Sequence, residues 1–185
     1  MSRSTQHEGT SVSAPLAIRG LDIALPAHAD RALAVEGIDL DVARGEILCL
    51  VGESGSGKSV IAHATMGLLP PALRIVGGTI DVGGESVAGA PEERLRALRC
   101  TRMAMVFQEP ATALNPLMRC GAQIDEVLAA HTSLAAAARR ERALAALAEV
   151  GIDDPARIHA SFAHEISGGQ RQRVMIAMAL ILEPA

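Results

Sequence analysis

The sequence predicts an α/β fold in which a glycine-rich loop joins a buried strand to a helix. Three observations carry that expectation. EILCLV, residues 46–51, is a short continuous apolar run, as in a strand covered on both faces of a parallel sheet. GESGSGKS, residues 52–59, follows at once and leads into a helical stretch. AVEGIDLDV, residues 34–42, alternates Val35, Ile38, Leu40 and Val42 with Glu36, Asp39 and Asp41, as a half-buried strand does.

The elements follow in order. Residues 1–15 lack an apolar core of the signal-peptide kind and read as a disordered leader. Residues 16–25 have strand character, and 25–30 form a loop. The strand over 34–42 is interrupted by Gly37, which suggests a bulge. After the glycine-rich loop a helix runs from about Lys58 to Leu69, stopped by Pro70-Pro71. Residues 77–88 read as a hairpin turning at Gly83-Gly84. Pro91 opens a charged helix, PEERLRALR. MAMVFQ, 103–108, reads as a second apolar strand and EPATALNP, 109–116, as a loop. From Cys120 to about Val150 the chain predicts two amphipathic helices divided near Thr132-Ser133. Gly151 to Pro155 ends them, and a last helix starts after Ser167.

Composition excludes several function classes. The 185 residues carry a net charge of −4 with no long basic run, so nucleic acid is not expected as a partner. There is no Trp or Tyr, and Phe occurs only at 107 and 162, which leaves no aromatic platform for stacking bases. Cys49, Cys100 and Cys120 are odd in number and far apart, so reduced, buried thiols are expected rather than a disulfide framework or a zinc site. The longest apolar run, Val174 to Leu182, is too short to span a bilayer.

Two constellations carry chemistry. Gly52, Glu53, Ser54, Gly55, Ser56, Gly57, Lys58 and Ser59 match G-x-x-x-x-G-K-[ST] without a mismatch. The glycines allow a sharp turn that brings bare N–H groups against phosphate oxygens. The helix start adds its partial positive charge. Lys58 is a mobile point charge for the outer phosphates, and the Ser59 hydroxyl is a hard ligand suited to Mg²⁺. The second constellation is Ser167, Gly168, Gly169 and Gln170. Ser167 and Gln170 have capping-box spacing. That box leaves two helix-weakening glycines in the first turn unexplained, unless an anion approaches their N–H groups.

VGESGSGKS, VFQEP and ISGGQRQRVMIAMAL, in that order, resemble the P-loop, Q-loop and signature motif of an ABC transporter ATP-binding subunit. MVFQEPATALNPL and HEISGGQRQRVMIAMAL are similar to the branch that energises oligopeptide, dipeptide and nickel importers. The resemblance implies a P-loop NTPase of ABC-ATPase type: a mixed β-sheet core, an antiparallel β part and an inserted helical subdomain. It implies a P-loop core over 16–108, a helical subdomain over 109–166 and the signature helix over 167–185.

It further implies that Gly52 to Ser59 hold the phosphates of ATP and that Ser59 and Gln108 reach Mg²⁺. Ser167, Gly168, Gly169 and Gln170 would cap an ATP held by a second, facing ATPase subunit. Transmembrane permease subunits, and through them a solute-binding protein, are the further partners implied. The place implied is the cytoplasmic face of the membrane.

Two departures from the family pattern are visible. The aromatic side chain that stacks on adenine falls near Ala32, and no aromatic precedes Phe107. A lost stack of this kind costs about 1–3 kcal/mol. The chain also stops at Glu183-Pro184-Ala185, where the family continues into a strand carrying the metal-binding Asp and the catalytic Glu. The expectation is therefore a truncated subunit with no catalytic residue of its own. The alternative is a non-catalytic module that binds nucleotide or pairs with a full-length partner.

Overall fold

The computed structural model describes residues 14–108 and 113–184. The chain divides into two compact units, one up to Gly89 and one from Ala90 onward. The sequence-predicted leader lies almost wholly outside the described residues, as does the 109–112 part of the EPATALNP loop.

The first unit is built on an antiparallel sheet. Its strands are β1 (Leu16–Ala24), β2 (Leu33–Val42), β3 (Arg74–Val82) and the short β4 (Glu85–Ser86), in the order β2-β1-β3-β4. Ile18, Leu21, Ile23 and Ile80 are fully buried. The bulge expected at Gly37 is present. Leu21 pairs with Ile38 but Ile23 pairs with Val35, so β2 spends one extra residue there. Gly37 takes φ +58°, and its N–H, left out of the ladder, donates to Asp22 Oδ1 at 2.7 Å. A mirror arrangement occurs on β1. Gly20 has φ +53° and donates to Asp39 Oδ1 at 2.8 Å. The hairpin turn is also as expected: Gly83 and Gly84, at φ +59° and +87°, join Val82 to its partner Glu85.

Helix α1 (Lys58–Thr65) ends earlier than the prolines suggested. Gly67, at φ +62°, donates to the Ala64 carbonyl at 3.0 Å, and Leu68 N–H reaches back to His63 O at 2.8 Å. This pair of bonds is the Schellman closure, and it stops the helix before Pro70.

Two expected strands are not strands. Residues 46–51 and 103–108 run without ladder pairing; Ile47 is 95% and Val51 90% exposed. A parallel strand receives its hydrogen bonds only from neighbours distant in sequence. Among the described residues no parallel ladder forms to supply them, and the antiparallel sheet satisfies its own strands locally.

The second unit is helical: α2 (Glu92–Leu98), α3 (Cys120–His131), α4 (Ala136–Glu149), α5 (Pro155–Ala160) and α6 (Gly168–Leu180), with a 3₁₀ turn at Ala163–Glu165. Its core gathers Cys120, Ile124, Leu128, Leu147, Ile158 and Val174. The division of 120–150 into two helices is observed, with the Thr132 hydroxyl closing α3 on Leu128 O at 2.6 Å. Helix α5 was not expected from the sequence, although Asp154-Pro155 is a start signal. Asp154 Oδ1 accepts from Arg157 N–H at 3.0 Å, and Pro155 occupies the first turn.

The thiols divide. Cys120 is buried and Cys100 partly so, but Cys49 is exposed, because the segment holding it is not covered by a sheet. Burial pushes the Cys120 and Cys100 thiols up, so both stay protonated at neutral pH. No helix among the described residues is long and apolar enough to cross a membrane.

Candidate phosphate-binding site

In the first unit the loop Gly52–Ser59 curls around the Lys58 side chain. The ammonium donates to Gly52 O at 2.9 Å, to Glu53 O at 2.6 Å and to Ser56 Oγ at 3.0 Å. Ser56 N–H points to the same Glu53 carbonyl, 3.3 Å away. The loop is therefore a ring of backbone groups around one positive charge. The ring's shape depends on its glycines. Gly57, at φ +92°, forms the N-cap of α1 and lies against β2, where a Cβ would sit 2.9 Å from Ala34 O and 3.1 Å from Val35 Cγ2. At Gly52 a Cβ would point into the ring, 2.9 Å from Ser56 Oγ and 3.8 Å from Lys58 Nζ. A bare backbone at Gly52 is what leaves the ring room for the Lys58 ammonium. The ring's donors, its ammonium and the helix start behind it suit an anion of polyphosphate shape.

One contact at the loop was missed by sequence reasoning. Arg31, in the β1–β2 loop, donates from Nη2 to Gly55 O at 3.0 Å. Nothing local marks this arginine, since its partner is 24 residues further on. At Ser59 the main-chain carbonyl meets His63 Nδ1 at 2.6 Å.

The remaining sequence-predicted residues belong to the second unit. Gln108 is exposed at a bend, not at the end of a strand. Ser167 and Gln170 form the expected capping box. Gln170 N–H donates to Ser167 Oγ at 3.3 Å, and Ser167 N–H donates to Gln170 Oε1 at 3.1 Å. Gly168 and Gly169 are exposed, lack positive φ, and a Cβ at either would meet nothing within 4 Å. Neither packing nor backbone conformation within the chain calls for glycine there. Arg171 and Arg173 work inside the unit, donating to the carbonyls of Ala163 and Gly151 respectively. His164 stacks on Phe162, ring centroids 5.6 Å apart.

The family model described as ABC transporter matches residues 35–185. The chain belongs to the ABC transporter family. Its motif order, fold class and P-loop agree with that membership.

This ABC transporter chain is 44% identical over 176 residues to the peptidoglycan transport ATP-binding protein YejF of Agrobacterium fabrum, covering 95% of the chain and 32% of that protein. It is 45% identical to the oligopeptide transport ATP-binding protein OppD of Lactococcus lactis, covering 82% of the chain and 45% of OppD. To the dipeptide transport ATP-binding protein DppD of Bacillus subtilis it is 38% identical, covering 91% and 51%. The chain thus spans about a third to a half of the length of these relatives.

Among solved structures, the ATP-binding cassette MJ0796 bound to ADP and Pi superposes with a TM-score of 0.78 at 23% identity, over 91% of this chain and 70% of that one. That likeness speaks for the fold alone. A structure described as the ATP binding subunit of an ABC transporter gives a TM-score of 0.69 at 26% identity, covering 92% and 63%.

Proposed function

We propose that this chain is the nucleotide-binding part of an ATPase subunit that energises an ABC-type importer of oligopeptides, dipeptides or nickel. The observation that carries the proposal is the ring of Gly52–Ser59 closed on Lys58. Two of its carbonyls and the Ser56 hydroxyl accept from the ammonium, and its glycines keep side-chain bulk out of the ring. The peptide-transport names of the relatives support the choice of cargo class.

In this reading Gly52, Glu53, Ser54, Gly55, Ser56 and Gly57 surround the polyphosphate of ATP with N–H groups. Lys58 leaves its loop carbonyls for the outer phosphates. Ser59 offers an oxygen ligand to Mg²⁺, which suits a hard cation that keeps most of its shell from phosphate and water. When bound, that ion offsets the charge on the phosphates.

Ser167, Gly168, Gly169 and Gln170 serve a second subunit. The capping box occupies Gln170 N–H and leaves the N–H groups of Gly168 and Gly169 at the helix start for an ATP held across a dimer interface. Glycine at positions where the chain itself has no need of it supports an external ligand. The permease subunits, with a solute-binding protein beyond them, are the membrane partners, and the subunit sits peripherally on the cytoplasmic face.

Calorimetry tests the proposal. Mg²⁺-dependent ATP binding is expected from the purified chain and is expected to vanish in Lys58→Ala. No affinity for any nucleoside triphosphate in folded protein would overturn it. Steady-state hydrolysis separates the two roles of the chain: turnover lost in Lys58→Ala assigns catalysis to it, and binding without turnover assigns nucleotide holding alone.

A further inference from the structure

We infer that Arg31 clamps the Gly55–Ser56 peptide so that the Ser56 N–H, and not the Gly55 carbonyl, faces the phosphate pocket. This rests on the phosphate-site reading above and assigns a positioning residue to it.

The geometry begins with the peptide plane. In a trans peptide the C=O and the following N–H point in opposite directions. Ser56 N–H points to Glu53 O, the carbonyl that also accepts from the Lys58 ammonium. That is the inner side of the ring. Gly55 C=O consequently faces outward, and there it meets Arg31 Nη2 at 3.0 Å.

The clamp answers a weakness of the loop. Gly55 has φ +81°, and a Cβ there would meet nothing within 4 Å. No side chain and no steric wall holds this residue in one conformation, and glycine passes readily between backbone regions. A flipped peptide would turn a carbonyl lone pair toward an incoming phosphate oxygen and take one donor away. A guanidinium on the outer carbonyl opposes that flip. Hydrogen bonds to charged groups are also stronger than neutral ones.

Arg31 is itself held. It precedes Ala32, whose carbonyl accepts from Leu25 N–H at 2.9 Å and closes the base of the β1–β2 loop. A second bond, Ala29 N–H to Pro26 O at 2.9 Å, makes a turn within that loop. The guanidinium thus reaches the phosphate loop from a hairpin anchored on the sheet.

The test measures Mg²⁺-dependent binding of ATP and of inorganic tripolyphosphate by calorimetry. It compares the unsubstituted chain, Lys58→Ala, Arg31→Gln and Arg31→Lys. Arg31→Gln is expected to weaken both ligands by the same factor, about fivefold to tenfold for one exposed charge-assisted bond. Arg31→Lys is expected to recover part of the loss. The thermal unfolding of Arg31→Gln should match that of the parent, because the side chain is exposed.

Unchanged affinity in Arg31→Gln, with binding lost in Lys58→Ala, would overturn the clamp and leave the phosphate site standing. A loss confined to ATP would also overturn it, since Arg31 would then act on the nucleoside. Binding of neither ligand by the parent chain would sink the phosphate-site reading and the clamp with it.

Discussion

The side-chain amide of Gln123 closes on the backbone of Asn115 from both ends. Oε1 accepts from Asn115 N–H at 2.9 Å, and Nε2 donates to Asn115 O at 3.1 Å. The second amide hydrogen goes to Met118 O, also at 3.1 Å. Gln123 is the one buried polar side chain among the described residues, 5% exposed on the inner face of α3. One residue of the helix thus ties down the 115–118 segment that leads into it.

Replacing Gln123 with Leu should therefore destabilise the chain by about 2–3 kcal/mol. The leucine fits the helix face, but Asn115 N–H and two carbonyls lose partners in a partly desolvated place. Urea unfolding followed by circular dichroism measures this. A loss below about 0.5 kcal/mol would mean that water replaces the amide without penalty.

The start of helix α6 allows stability and the proposed recognition to be measured apart. Ser167→Ala removes the acceptor for Gln170 N–H and should cost about 1 kcal/mol. Gly169→Ala should do the reverse. Its Cβ enters open space in a helical first turn, so stability should rise by up to about 1 kcal/mol. ATPase activity measured with a full-length partner subunit should nevertheless fall in Gly169→Ala, because the added methyl stands where an anion would approach. Activity that rises along with stability would assign these glycines no part in recognition.

Gly57 joins fold and site at one atom. A Cβ there would lie 2.9 Å from Ala34 O, and the residue holds φ +92°. Gly57→Ala should displace the start of α1 from β2. A loss of about 1–3 kcal/mol is expected from left-handed strain, together with weakened Mg²⁺-triphosphate binding. Unaltered unfolding and unaltered binding would show that the loop adapts without moving.

These residues also mark how far the sequence could be read. The Gly83-Gly84 turn, the Gly37 bulge and the Ser167–Gln170 box were legible because each is decided within a few residues. Glycine supplies the positive φ, and the partner is near in the chain. The turn at the glycine-rich loop was legible because only glycine suits the positive φ at Gly55 and Gly57 and the close approach of Gly57 to β2. Residues 46–51 and 103–108 were misread for the opposite reason. An apolar run reports what a segment can bury, whereas a parallel ladder depends on strands far away in sequence. Exposed Cys49 follows from the same misreading. Arg31 and Gln123 left no local pattern, because their partners are carbonyls and amides that any residue could provide.

The last expectation concerns pH. His159 lies against Gly121, where a Cβ would collide with the imidazole ring. Burial holds its pKa below the ordinary 6.5, and Arg140, 3.3 Å from Nδ1, adds to the depression against a smaller opposing pull from Asp125. The fold thus favours the neutral ring. Above pH 6.5 neither the folded nor the unfolded chain binds this proton, and the contribution to stability is complete. As pH falls below 6.5 the unfolded chain takes up a proton that the folded chain refuses, and stability is lost through that window. The slope for one group cannot exceed about 1.4 kcal/mol per pH unit. Urea midpoints measured from pH 7.5 down to about 5 should fall in the parent chain and fall less in His159→Gln. Gly121→Ala, which pushes the imidazole outward toward water, should flatten the profile in the same range. Parallel profiles for the parent and His159→Gln would remove His159 as the source of the acid sensitivity.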